Sequence, residues 1–312
     1  MAAPVDARER LVEPEVERRR GDVVRDLIRL IRPGQWPKNI LVVSVPLLDL
    51  RTWSVSALVQ LAWAVAVFTL ASCAVYVLND VVDRRRDAAN PSKWHRPVAA
   101  GRLSPRIALL FGAVLLLPLA GLLCLNPWTW AWPVGAYVLL NVSYSLGLKH
   151  APLLDVFLVA AGFTLRMLQG YVVLEADVSG WLLTCVFSLC LLLTVGKRRQ
   201  ELVATEGAHR PALRGYTVAL TEQLMLLVAV LAAGSYLLYL RTEAPLDGYG
   251  PAAAAASVPL ALFGLFRYLQ LVLVRGAGED PVRTLLRDPA LVVNSLLWLA
   301  VTCGFVAAAR LS

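Results

Sequence analysis

Charge is scarce in this sequence. Asp, Glu, Lys and Arg make up 17% of its 312 residues against 58% hydrophobic, and the mean hydropathy is +0.63. That balance excludes a soluble domain with an ordinary polar surface and points to a polytopic membrane protein. Histidine is rarer still: His95, His150 and His209 are too dispersed to form a metal constellation. The five cysteines (Cys73, Cys124, Cys185, Cys190, Cys303) all fall inside apolar runs with no CxxC pair. That argues against a disulfide framework or a thiolate zinc site and leaves them as packing residues. No GxSxG, HExxH, Walker A or GxGxxG context is present, so the chemistries those motifs mark have no foothold. No stretch outside the apolar runs is long enough for a separate soluble domain. The start is rich in Arg and Glu without an apolar core, unlike a cleavable signal peptide. Residues 1–24 therefore read as a flexible cytoplasmic tail and 25–312 as one transmembrane domain.

Nine spans can be drawn through that domain, at 37–50, 56–79, 107–125, 128–147, 152–174, 180–196, 217–240, 252–274 and 290–310. The first carries Pro37 and Pro46, which interrupt a regular helix within it. The net charge is +8, yet the basic residues sit in short loops, which suits membrane topology and anionic headgroups better than nucleic acid. Nine Lys and Arg fall in 1–38, seven in 84–106, one at Lys149, five in 197–214 and three in 275–287. The other side has only Arg51, Arg241 and Arg310. The bias predicts an N-terminus and long loops in the cytoplasm and a C-terminus outside, and the plasma membrane is the expected location. Small-residue stripes on lipid-facing helices suit helix packing and subunit contact alike, so a homo-oligomer is an open expectation.

The densest chemistry is where the second span turns polar. Asn79, Asp83 and Asp87 recur at i, i+4, i+8 and share one helical face. Oxygen groups at that spacing suit Mg²⁺, which takes a few protein oxygens and leaves its other positions to water and phosphate. Asp80 sits among them, and Arg84, Arg85, Arg86, Lys93 and Arg96 surround them, as a site holding both a cation and a polyphosphate requires. The arginines alone would also serve as topology markers. Before the first span, Arg32, Trp36 and Lys38 suit an interfacial anchor, whereas Lys38 and Asn39 could instead reach a phosphate.

The fourth span ends in Tyr144 and Lys149. The next opens with Pro152 and Asp155, whose carboxylate also suits the helix dipole. Arg166 lies roughly sixteen ångströms further along the same helix at 1.5 Å per residue. An arginine that deep is costly unless it faces a wet or anionic cavity, so it is expected to line a substrate chamber. After the sixth span, Lys197, Arg198 and Glu201 form a cationic ridge with one carboxylate if helical. Arg267, in the eighth span, is placed to snorkel to the cytoplasmic face. The last three spans otherwise carry little chemistry.

Asn79-Asp80-x-x-Asp83-x-x-x-Asp87, followed by Arg96-Pro97-x-x-x-Gly101-x-x-Ser104, resembles the first Asp-rich motif of the UbiA prenyltransferase superfamily. Tyr144-x-x-x-x-Lys149 resembles its Tyr/Lys signature, and nine spans with polar loops after the second and sixth fit the same pattern. The likeness covers about 25–312 and implies an all-α fold of nine helices around a central cavity. One departure is informative. Where the aromatic prenyltransferases carry a second Asp-rich motif, this chain has Gly196-Lys197-Arg198-x-x-Glu201-Leu202. With Arg32-Pro-x-Gln35-Trp36-x-Lys38-Asn39 and Leu148-Lys149-His150-x-Pro152-x-x-Asp155, that pattern resembles the superfamily's decaprenyl-phosphate phosphoribosyltransferase branch.

The resemblance implies transfer of 5-phosphoribose from phosphoribosyl diphosphate (PRPP) to a polyprenyl (decaprenyl) phosphate, releasing diphosphate, on the way to cell-wall arabinose donors. Mg²⁺ on Asn79, Asp83 and Asp87 would neutralise the leaving diphosphate, with Asp80 a ligand or an outer acceptor. Lys93, Arg96, Lys197 and Arg198 would hold the donor phosphates, with Glu201 beside them. Asp155 would stabilise the oxocarbenium-like ribose. Lys38, Asn39, Tyr144, Lys149 and Arg166 are candidates for the lipid phosphate. Two rivals stand beside this reading: an aromatic or quinone prenyltransferase using a prenyl diphosphate, and a non-catalytic lipid-binding or transport protein.

Overall fold

The computed structural model describes residues 20–43, 46, 54–90, 93–205, 211–276 and 281–311, and among these no strand occurs. Helix α1 (Arg20–Leu30) leads into a 3-10 segment, Pro33–Ile40. Then come α2 (Val55–Val82), the short α3 (Arg84–Ala88), α4 (Pro105–Cys124), α5 (Trp132–Leu146) and α6 (Leu154–Val173). The chain continues as α7 (Gly180–Thr205), α8 (Val218–Thr242), α9 (Gly250–Leu273), the short α10 (Pro281–Arg287) and α11 (Pro289–Leu311). Local chemistry sets several starts. Ser54, Ser104 and Thr217 each accept from the backbone N–H three residues on, at 3.1, 3.3 and 3.1 Å, which satisfies a donor the helix itself leaves open.

Among the described residues, seven helices are long and apolar enough to cross a membrane: α2, α4, α6, α7, α8, α9 and α11. These match seven of the nine expected spans. The expected span 128–147 is divided: a 3-10 turn covers Trp128–Ala131 and α5 has only 15 residues. Pro127 and Pro133 flank that turn and delay the α-helix. At 1.5 Å per residue α5 is roughly 22 Å long, short of the roughly 30 Å hydrocarbon layer. The expected span 37–50 begins in the 3-10 segment, and most of its second half lies outside the described residues, as does 1–19 of the expected tail. Residues 20–24 of that tail belong to α1.

The inner helices are told apart by burial. Half or more of the α2, α6 and α7 spans is buried, against 11% of α4 and α11. One apolar cluster joins α6, α7, α8 and α9 around Tyr171, Leu192, Met225 and Val272. A second joins α2, α5 and α6 around Phe68, Val134, Tyr137 and Val173. A third fastens α1 and the loop after α3 to the end of α2 through Leu30, Val77, Val98 and Leu103. Close approach depends on glycine at Gly170, where a Cβ would lie 2.0 Å from the Val42 carbonyl oxygen. The polar ends of α2, α5, α6, α7 and α8 meet at one end of the bundle.

Candidate functional site

Helix α2 ends at Val82, with Asp83 as its cap, and α3 takes up the chain one residue later. The Asp83 N–H donates to the Asn79 carbonyl at 2.9 Å and the Asp87 N–H to the Asp83 carbonyl at 2.8 Å. The helical register therefore passes through the junction, and the face expected for Asn79, Asp83 and Asp87 survives it. Their side chains divide between two sets of partners. Asp83 pairs with Lys149, and the Ser145 hydroxyl sits between the Asn79 side chain and the Asn141 carbonyl, 2.7 Å from the latter. Asp87 pairs with Arg96 at 2.5 Å and, more loosely, with Lys93 at 3.9 Å. Asp80 is 2% exposed and is clasped by Arg32 and, at 3.2 Å, by Arg96. Arg96 thus bridges two carboxylates seven residues apart, two turns along one face. Asp83 is the accessible member, with 24% of its side chain exposed against 2% for Asp80 and 6% for Asp87.

The opposite wall comes from the α5–α6 turn and the end of α7. Asp155 is 0% exposed: its Oδ1 accepts from the Tyr216 hydroxyl at 2.6 Å, and Oδ2 lies 2.9 Å from Arg198 Nε in an ion pair. The Leu153 N–H donates to the same Tyr216 oxygen at 2.8 Å. Burial, and then the Asp155 carboxylate, hold the Tyr216 hydroxyl well above the ordinary phenol range, so it stays a donor. Arg198 is 4% exposed and also pairs with Glu201. Two expectations change here. Asp155 is sealed among side chains instead of facing an open site, because Tyr216 and Arg198 cover it. Arg198 is likewise held between two carboxylates, whereas its neighbour Lys197 is exposed at that end of α7.

Deeper in the bundle is a cavity of about 130 Å³, lined by Lys38, Tyr76, Tyr137, Leu140, Asn141, Tyr144, Leu158, Val159, Gly162, Phe163 and Arg166. Arg166 does line this chamber, with its guanidinium already committed. Nε donates to Asn39 Oδ1 at 2.9 Å, one Nη to the Gly162 carbonyl at 2.7 Å and the other to the Tyr137 hydroxyl at 3.0 Å. Its Cζ lies 4.6, 5.1 and 5.6 Å from the ring centres of Tyr137, Phe163 and Phe68. Carbonyl, amide and aromatic faces compensate a charge that hydrocarbon would reject. Asn39 is 2% exposed, so it holds Arg166 from behind, whereas Lys38 reaches the chamber over Phe163. Arg267, expected to snorkel to the cytoplasmic face, pairs bidentately with Asp288, the residue just after the 275–287 loop, at 3.1 and 2.8 Å, outside this site.

Chamber and acid cluster are continuous along α5, whose last turns give Leu140, Asn141 and Tyr144 to the one and Ser145 to the other. Arg32 links them again, with Asp80 on one side and the Tyr76 ring 5.2 Å away on the other. Residues outside the expected set are Arg32, Tyr76, Tyr137, Asn141, Ser145 and Tyr216. A signal for three was present: Tyr137, Asn141 and Ser145 recur every four residues in an apolar run, a polar stripe on one face.

The candidate cation ligands are all oxygens. Among the described residues no three His, Cys, Asp or Glu side chains converge on one point. Such a set does not cage a metal alone. It fits a hard divalent cation that keeps waters and takes phosphate oxygens from a substrate.

Comparison with known proteins gives three findings. The sequence profile described as the UbiA prenyltransferase family matches residues 45–287. A decaprenyl-phosphate phosphoribosyltransferase of Mycobacterium tuberculosis is 32% identical over 294 residues, spanning 92% of this chain and 96% of that protein. One of Corynebacterium glutamicum, bearing the same name, is 31% identical over 87% of this chain and 84% of its own. Among solved structures, a UbiA homolog from Archaeoglobus fulgidus bound to GPP and Mg²⁺ superposes with a TM-score of 0.67 at 15% identity. It covers 92% of this chain and all of that one.

Proposed function

The chain belongs to the UbiA prenyltransferase family and is a multi-pass membrane protein, and we propose that it transfers 5-phosphoribose from PRPP to decaprenyl phosphate. Near-full-length likeness to two phosphoribosyltransferases of that acceptor supports the reaction. The observation that carries the donor class is the charge balance of the site. Three carboxylates and an amide face Arg32, Lys93, Arg96 and Lys149, with Lys197 exposed nearby. The four cations outnumber the three carboxylates by one, and Lys197 at the end of α7 adds an exposed cation, which suits a donor carrying a 5-phosphate besides its metal-bridged diphosphate.

Asn79, Asp83 and Asp87 would hold a divalent cation, Mg²⁺ by its preference for few protein oxygens. When bound, such a cation supplies charge neutralisation for the departing diphosphate. Lys93, Arg96 and Lys149 exchange carboxylate partners for phosphate oxygens and fix the diphosphate at the junction of α2 and α3. Asp80 keeps Arg32 and Arg96 oriented and touches no substrate. The bond from ribose C1 to the diphosphate breaks, with the electron pair leaving on the diphosphate. A new bond forms from C1 to a lipid phosphate oxygen. No general base is required, because that phosphate is already an anion at neutral pH. Lys38 and Tyr144 hold it at the chamber mouth, in line with the leaving group, which inverts C1. Leu140, Leu158 and Val159 receive the first isoprene units. The basic end of the bundle faces the cytoplasm across the plasma membrane by the positive-inside bias.

The test supplies purified protein in detergent with PRPP labelled in the ribose, decaprenyl phosphate and Mg²⁺. Label entering the lipid phase, and lost with EDTA and in Asp83→Ala, is the expected result. No lipid-phase label from PRPP, with prenylation of an aromatic acid from a prenyl diphosphate instead, would refute it.

A further inference from the structure

The Tyr216 side chain ties three segments together without entering the chamber. Its oxygen receives the Leu153 N–H at 2.8 Å and donates to Asp155 at 2.6 Å, and Asp155 in turn lies 2.9 Å from Arg198. Leu153 adopts φ +66° and ψ −48°, the rare, strained form of the γ-turn, closed by the Leu154 N–H donating to the Pro152 carbonyl at 2.8 Å. The hydrogen bond to Tyr216 helps hold it there. Beside it, a Cβ on Gly215 would lie 2.3 Å from Pro152 Cγ, so the segment before α8 is pressed directly on the α5–α6 turn. That same turn carries Lys149, four residues before Leu153, and Lys149 is 8% exposed where it pairs with Asp83.

We propose that Tyr216 is a positioning residue for the donor site: it locks the α5–α6 turn so that Lys149 stays opposite Asp83, and it pins Arg198 so that the end of α7 keeps its place. The assignment of Lys149 to the donor phosphates rests on the reading above. Removing the hydroxyl strips a buried carboxylate oxygen and a backbone N–H of one shared partner, and the turn that carries Lys149 relaxes. The lipid side, built on Lys38, Tyr144 and the chamber, is left in place.

Two variants test this, Tyr216→Phe and Gly215→Ala, the second pushing the same contact apart by its Cβ. The expected result is a rise of about tenfold in KM for PRPP, the effect of losing one hydrogen bond to a charged group, with KM for decaprenyl phosphate unchanged within about twofold. A purely structural role would move both constants or neither. The second readout needs no substrate: limited trypsin digestion in detergent, scored by mass spectrometry for cleavage after Lys149. Cleavage there is expected to quicken in both variants relative to cleavage after Arg275, which is exposed just beyond the end of α9. Unchanged cleavage at Lys149, or equal rises in both KM values, would overturn the proposal. If the unaltered protein uses no PRPP, the donor reading fails, and the trypsin result alone decides the role of Tyr216.

Discussion

Asp80 and Asp83 lie three residues apart and carry the same group, yet the structure gives them opposite tasks. Asp80 is 2% exposed and neutralises Arg32 and Arg96. Removing one partner of a buried ion pair costs about 3–5 kcal/mol. The lower end applies here, because both guanidiniums keep 24% side-chain exposure and Arg96 retains Asp87 at 2.5 Å. Asp80→Ala should therefore cost about 3 kcal/mol, a fall in unfolding midpoint on the order of 10 °C. Asp83 is more exposed and pairs with one lysine, but Lys149 is 8% exposed, so Asp83→Ala should cost about 1–2 kcal/mol, less than Asp80→Ala. Its effect falls on turnover, since the most accessible carboxylate of the cluster is gone. Thermal unfolding in detergent, followed by tryptophan fluorescence, reads the first quantity, and lipid-phase transfer at low temperature reads the second. Equal midpoints for the two variants would refute the division of labour. So would an Asp83→Ala protein that turns over normally.

Three further outcomes follow from the same contacts. Arg166→Leu leaves Asn39, Gly162 and Tyr137 without their donor and should cost about 2–4 kcal/mol, read as a lowered unfolding midpoint. Gly170→Ala drives a Cβ to 2.0 Å from the Val42 carbonyl, so this variant should be recovered poorly from membranes while Gly121→Ala, where nothing lies within 4 Å, is recovered normally. The hydrogen bonds from Arg267 hold the Asp288 carboxyl below its ordinary range. Its contribution is complete above the unfolded value of about 3.9 and is lost as pH falls through the lower folded value. The unfolding midpoint should thus fall below about pH 4, and Asp288→Asn should flatten that dependence.

How far the sequence alone reaches differs between fold and site. Seven spans were legible because each is a long apolar run bounded by polar residues. The expected span 128–147 is divided at prolines: Pro127 and Pro133 impose a 3-10 turn and a short α5, which hydropathy averages over, and most of the second half of 37–50 lies outside the described residues. The acid cluster was legible because Asn79, Asp83 and Asp87 are local in sequence, and local spacing fixes a helical face. What spacing cannot give is which cation faces which acid, since Arg32 and Asp80 lie 48 residues apart and Lys149 and Asp83 lie 66 apart. Asp155 and Arg198 show the same limit. Each reads as a free charge by itself, and only the meeting of α6, α7 and the segment before α8 makes them mutual partners with Tyr216. Tyr216 offered no signal, because a tyrosine at the edge of an apolar run is ordinary for an interface anchor.

The most direct measurement offers the purified protein both donor–acceptor pairs at once: PRPP with decaprenyl phosphate, and a prenyl diphosphate with an aromatic acid. The extracted products are then identified by mass. A decaprenyl product heavier by one phosphoribosyl group, absent when EDTA is added, with the aromatic acid unchanged, is the expected result. A prenylated aromatic acid with decaprenyl phosphate recovered intact would contradict it.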